Sequence, residues 1–354
     1  MNKKALSLLA VVALGSFAGC GNTNTSSSSS SSAAPAPAAK KYSVGLGYSE
    51  TFKTSGQLDL TVAMAAFDDE GKVYDVRFDV VQVKFTSNEA KDGLTLTNKN
   101  VDADYSVTTK LELGTAYNMQ GSSFIGKEVD EQIEAFADYC AGKTVAEVIE
   151  STVNPGHSTD GTPVCDALTG KVTISVDGFE AALQNAFDTK SEATYELAGT
   201  AGVAMVSGLA YNYGKPTKEV ACNIAGAFAK DGKIEVALMD EVVCPVAIAE
   251  DGTLSLDTAS KYVKEGKVIS KKALGYDYDM KGTSAGIGKI EGGAEWFEQA
   301  AVIEAAAAGK TAEQVTALVA GEGELAGATM TVTSYLKAIA KAATYAEKTV
   351  IAAR

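Results

Sequence analysis

Residues 110–121, KLELGTAYNMQG, return as residues 271–282, KKALGYDYDMKG, and related segments recur in the same order on either side. The turn Asp69-Glu70-Gly71-Lys72 comes back as Lys230-Asp231-Gly232-Lys233, and Ala141-Gly142-Lys143-Thr144 as Ala308-Gly309-Lys310-Thr311. A repeat of roughly 160 residues far exceeds the 20–50 residues of solenoid units. Each copy is long enough to bury a core of its own. The expectation is two tandem domains of one fold, residues 42–190 and 191–354.

One copy reads as a mixture of strands and helices. Residues 58–67 and 73–83 are rich in apolar and β-branched side chains around a tight Asp/Gly turn, which predicts a hairpin repeated at 220–229 and 234–243. In residues 129–141, Ile133, Phe136, Ala137 and Cys140 share a face at helical spacing; Trp296, Phe297, Ala300 and Ile303 are their counterparts. Thr144 with Glu147 and Thr311 with Gln314 have capping-box spacing and should open a second, short helix. A phosphate-binding loop at the Gly-Lys-Thr is excluded, because Ala137 and Glu304 stand where its first glycine is required. A short strand and a last helix should close each copy, residues 178–187 and 335–347, with Asp177 and Ser334 as N-caps. The fold class is α+β, in two tandem copies, each an antiparallel hairpin or sheet packed with two to three helices.

The beginning of the chain reads as an address. Lys3 and Lys4 precede an apolar run too short to span a bilayer, and small residues lead to Cys20. Ser16-Phe17-Ala18-Gly19-Cys20 resembles the bacterial lipoprotein lipobox, with Phe17 in place of the usual aliphatic residue. That resemblance implies a signal peptide, residues 1–19, and a diacylglycerol on the Cys20 thiol. The Ser/Ala/Pro-rich residues 20–41 have no hydrophobic periodicity and serve as a tether from the extracytoplasmic face of the cell membrane.

Loss of the leader takes the formal charge from −14 to about −16, which argues against nucleic acid as a partner. Cys140 and Cys165 in the first copy, and Cys222 and Cys244 in the second, are compatible with one disulfide each or with four small buried residues. No CxxC spacing and a single histidine, His157, leave no metal site. His157 reads as a solvated loop residue, and no nucleophile-histidine pair could recur in both copies.

The junction before each last helix carries the remaining signal. It runs Cys165-Asp166-Ala167-Leu168-Thr169-Gly170-Lys171-Val172-Thr173 in the first copy. The second has Glu322-Gly323-Glu324-Leu325-Ala326-Gly327-Ala328-Thr329-Met330-Thr331. These segments resemble the FMN-binding domain family of extracytoplasmic flavoproteins, whose domains end in Asp-x-x-Ser/Thr-Gly-Ala-Thr before a Thr/Ser-rich stretch and a helix. The resemblance implies FMN, carried covalently on Thr329 by a flavin transferase or held noncovalently. Gly327, Ala328 and Thr331 would surround it, with Asp166, Thr169, Gly170 and Thr173 as the first-copy equivalents. Val172 then falls at the acceptor position of the first copy, and Gly323 and Ala326 replace the Asp and Ser/Thr of the second. Tyr117 to Met119 and Tyr278 to Met280 are candidates for the wall of a flavin slot, or ordinary packing residues. The function this implies is an extracytoplasmic electron carrier fed by a membrane dehydrogenase, a redox carrier rather than a catalyst. The alternative is a flavin-free binding or surface-structural lipoprotein built on a duplicated domain.

Overall fold

The structure is a computed structural model that describes residues 40–103, 105–156, 160–288 and 290–348. The leader, Cys20, the tether up to residue 39 and His157 lie outside the described residues. Long strands come first. β1 (Tyr42–Lys53), β2 (Gln57–Phe67) and β3 (Val73–Ser87) form an antiparallel meander, extended by β4 (Leu94–Leu96) beyond β3 and by β5 (Thr194–Tyr195) beyond β1. The second meander is β6 (Thr200–Leu209), β7 (Glu219–Lys230), β8 (Lys233–Ile248) and β9 (Leu254–Leu256); β10 (Val263–Lys264) and β11 (Lys267–Val268) make a small ribbon after it.

Helices follow each meander. The first is followed by α1 (Lys110–Leu113), α2 (Val129–Cys140), α3 (Val145–Ser151) and α4 (Asp177–Asp188). The second is followed by α5 (Lys271–Leu274), α6 (Lys281–Ile287), α7 (Trp296–Ala307), α8 (Ala312–Thr316) and α9 (Thr333–Lys348). The architecture is α+β with antiparallel sheets.

Alternation along the strands decides the layering. Leu58, Leu60, Val62 and Met64 of β2 point to one face, where they meet Val203 and Met205 of β6 and Val220, Cys222 and Ile224 of β7 in a shared apolar cluster. Ala63, Ala65 and Phe67 point the other way, onto Ile133 and Phe136 of α2 and Phe179 and Leu183 of α4. In the second half Ala225, Ala227 and Met239 likewise face Trp296, Ala300 and Ile303 of α7 and Ile339 of α9. The result is four layers, helix, sheet, sheet, helix. Small residues let α4 lie almost on β1: a Cβ on Gly47 would stand 2.1 Å from the Ala186 nitrogen.

Each half lends a segment to the other. The Tyr48 hydroxyl on β1 donates to the Val268 carbonyl (3.1 Å) and accepts from the Ser270 N–H (2.9 Å), while Glu50 accepts from the Val268 N–H (2.9 Å). In the opposite direction the Val107 N–H donates to the Ser207 carbonyl on β6 (2.8 Å), and the Ser207 N–H to the Ser106 hydroxyl (3.0 Å). Lys341 of α9 forms an ion pair with Glu112 of α1, and the Tyr345 hydroxyl donates to the same carboxylate (3.1 Å). By its contacts Ala39–Arg354 is one compact unit. No helix of the described residues is long and apolar enough to cross a membrane.

Both expected capping boxes are formed, Thr144 with Glu147 and Thr311 with Gln314. The last helices begin ahead of expectation, by one residue in α4 and by two in α9. Val176 is already in the helical basin and its carbonyl accepts from the Glu180 N–H, as Val332 does for Leu336. Asp177 and Ser334 therefore sit inside the first turn instead of capping it. The expected short strand ahead of these helices is absent among the described residues, because side chains take over its backbone hydrogen bonds.

Candidate functional site

Those side chains are two fully buried glutamines on the first turns of α2 and α7. Gln132 Oε1 accepts from the N–H groups of Thr173 (2.8 Å) and Ile174 (3.2 Å), and lies 3.4 Å from the Thr173 hydroxyl. Gln299 Oε1 accepts from the N–H groups of Thr329 (2.7 Å) and Met330 (3.1 Å), and lies 3.3 Å from the Thr329 hydroxyl. Each amide nitrogen is occupied in turn. Gln132 donates to the Lys127 carbonyl and the Ser123 hydroxyl, Gln299 to the Ala294 carbonyl and weakly to the Met280 sulfur.

The amide suits this place because one end must accept and the other donate inside an apolar layer, where an unpaired polar group costs about 1–3 kcal/mol. The glutamines are positioned by buried glutamates one turn earlier. Glu128 accepts from the N–H groups of Met119, Gln120 and Val129, with Gln120 the strongest of the contacts that hold its carboxyl below the usual range. Glu295 accepts from Met280 in the same manner, and both close capping boxes, with Glu131 and Glu298.

This geometry changes the correspondence between the two halves. Thr173, not Val172, occupies the position opposite the glutamine. Aligning the two segments on Gly170 and Gly327 misleads because the first contains one more residue. From Leu168, which closes the 3-10 turn Asp166–Leu168, to Thr173 is one step longer than from Leu325, which closes the turn Gly323–Leu325, to Thr329. The extra residue is taken up where Gly170 adopts φ 68°, a conformation glycine enters freely. Val172 and Ala328 are then equivalent, and both are buried.

The other expected residues are distributed unevenly around the pair. Asp166, Thr169 and Gly170 are exposed on the turn, and Thr331 is exposed beyond Met330. Gly327 packs toward Val302 of α7. Asn118 and Asp279 are left-handed turn residues, and the N–H groups of Met119 and Met280 that follow them turn toward the glutamates. Tyr117 and Tyr278 lie under lysines, Lys110 at 5.2 Å and Lys261 at 4.4 Å. Cys140, Cys165, Cys222 and Cys244 are all free and buried; burial pushes the thiols of Cys222 and Cys244 up to about 12.

The fit to an FMN phosphoester differs between the halves. Thr329 is a partly exposed residue. Thr173 is 5 % exposed and closed in. By exposure Thr329 could take the group and Thr173 could not.

Three features escaped sequence reasoning. Besides the glutamines, Asp79 and Asp240 are buried at matching points of β3 and β8. Each accepts from the next N–H of its own strand and from the first turn of the short helix that follows, Leu111 N–H for Asp79 and Lys272 N–H for Asp240. Burial pushes Asp79 up to about 7 and Asp240 to about 6, Lys272 restraining the latter. Finally, the second half holds a buried polar chain: the Trp296 indole donates to the Tyr335 hydroxyl (3.4 Å), which donates to Glu241, itself paired with Lys271 (2.7 Å). Burial foremost, then Glu241, raises Tyr335 well above its ordinary range.

Together these define an α+β protein with two glutamine-clamped threonine segments, one with its threonine buried and one with it partly exposed. No family model matches the chain, and no solved structure does. Over 123 residues it is 37% identical to Chlorophenol reductase of Desulfitobacterium hafniense, a match that covers 31% of this chain and 37% of that protein's length.

Proposed function

We propose that this chain is a membrane-anchored, extracytoplasmic lipoprotein, two tandem copies of one FMN-binding-like domain, that carries electrons on an FMN attached to Thr329. The observation that carries the reading is the matched pair Gln299–Thr329 and Gln132–Thr173: the segment resembling a flavinylation motif is the one segment whose threonine both halves hold on a buried amide. The recurrence of element order, of the glutamate-glutamine turn and of the buried aspartate supports duplication. Similarity to a protein named as a reductase agrees with redox work.

When bound, FMN supplies one- and two-electron transfer. The chain's part is to hold it. Thr329 offers the oxygen, and Gln299 fixes the backbone on either side of it. Diacylglycerol on Cys20 and the Ser/Pro tether would bring this half within reach of a membrane dehydrogenase, and a flavin transferase would load it. One observation favours the flavin-free binding or structural reading: both threonine hydroxyls turn inward to a glutamine, as purely structural hydroxyls do.

Intact mass and visible absorption decide between them, measured on residues 39–354 secreted from a host that supplies a flavin transferase. The expected result is one FMN, lost in Thr329→Ala and kept in Thr173→Ala. An apo mass, no visible band and no uptake of added FMN would overturn the flavin reading.

A further inference from the structure

We infer that Gln299 is a positioning residue, which aims the Thr329 oxygen at an incoming flavin phosphoryl group, and that the chain accepts one flavin, in its second half only. This rests on the flavin reading above. The starting point is the number of donors that converge on one atom. Gln299 Oε1 stands within hydrogen-bond reach of the Thr329 N–H, the Met330 N–H and the Thr329 hydroxyl, at 2.7, 3.1 and 3.3 Å. Its nitrogen is tied to the Ala294 carbonyl (3.2 Å) and the Met280 sulfur (3.8 Å), so the acceptor end faces the threonine.

With its proton directed at that buried oxygen, the Thr329 Oγ keeps both lone pairs clear of the contact, in a residue that is partly exposed. The reaction this serves is group transfer with no change of oxidation state. A bond forms between Thr329 Oγ and the FMN phosphorus of a flavin dinucleotide. The phosphoanhydride bond to the second nucleotide breaks, the nucleoside monophosphate leaves, and the hydroxyl proton gives up its hydrogen bond to Gln299 and passes to a basic group of the flavin transferase.

The same clamp in the first half serves as an internal control built into the chain. Gln132 holds Thr173 at distances within 0.1 Å of those on Thr329, 2.8, 3.2 and 3.4 Å. Yet Thr173 is 5 % exposed, and Gly170 with the extra residue alters the turn leading into it. Orientation is supplied in both halves, but access in one. A glutamine that only held the fold together would matter equally in each.

The test loads residues 39–354 with purified flavin transferase and FAD, and follows the intact mass with time. Gln299→Met removes the acceptor and Gln132→Met makes the same change in the first half; Gln299→Glu serves if the methionine variant fails to fold. The expected result is one FMN on the parent protein, loading at least tenfold slower in Gln299→Met or Gln299→Glu, and the parent rate in Gln132→Met. Loading of Gln299→Met at the parent rate, or FMN found on Thr173, would overturn the inference and leave the flavin reading standing. No FMN on the parent protein would overturn both. In that outcome amide exchange at Thr329 and Met330, slow in the parent and fast in Gln299→Met, would assign Gln299 to stability alone.

Discussion

Asp79 and Asp240 show how one neighbouring side chain sets the behaviour of a buried acid. Both are buried and held by the same two backbone donors, but Lys272 faces Asp240 where Leu111 follows the first-half cap, and Asp79 keeps one oxygen, Oδ2, without a partner. A carboxyl whose pKa is raised on folding stabilises the fold most fully below about pH 4, and that contribution is lost as pH climbs toward 7. Asp79→Asn should therefore stabilise the protein above pH 7, by at most about 4 kcal/mol, and flatten its stability between pH 4 and 7. Urea unfolding at pH 5 and pH 8 measures this, and an equal effect at both would contradict it. Glu241→Val should be the more damaging change, by about 3–5 kcal/mol, since it strands the Lys271 ammonium in a buried site. Of these residues the sequence exposed little. The pattern Glu-x-x-Glu-Gln at 128–132 recurs at 295–299, but polar residues at a helix start read as solvated caps. Nothing in the residue order says that Gln132 and Gln299 reach about 40 and 30 residues ahead to a threonine.

At the scale of elements the hairpins, the two main helices and the short capped helices were readable, because hydrophobic period, turn chemistry and capping residues all lie within a few neighbours of one another. The extended segments before α4 and α9 were not, since their β-branched residues look like a strand whose partner is in fact a pair of side-chain oxygens. The close seat of α4 on β1 was hidden for the same reason: Gly45 and Gly47 in sequence are a Gly-rich start, and in space they are the gap that admits a helix. Gly47→Ala should shift α4 away from the sheet and lower stability by about 2–4 kcal/mol, visible as a fall in melting temperature. Thr144→Ala, at an exposed cap, should cost about 1 kcal/mol and leave flavin loading unchanged.

The molecule as a whole is more interdependent than a tandem repeat suggests. Each half has a helix-facing cluster of its own, but the largest strand faces are buried only against each other, and Tyr48 and Ser207 receive segments from across the boundary. Residues 42–190 expressed alone should expose that apolar face and show no cooperative unfolding, whereas a well-dispersed NMR spectrum of the isolated half would refute this. Tyr48→Phe removes a donor and an acceptor at once and should cost about 1–3 kcal/mol, measured by denaturant unfolding of the intact chain.

β1 has a further consequence. It is paired with β2 from Ser43 through Lys53, and with β5 at Tyr42 and Ser43 alone. Tension arriving through the residues ahead of Tyr42 runs along the strand, so that the rungs to β2 are loaded together in shear and not peeled one at a time. A protein of this build should yield abruptly, at high force, when pulled from its N-terminal end.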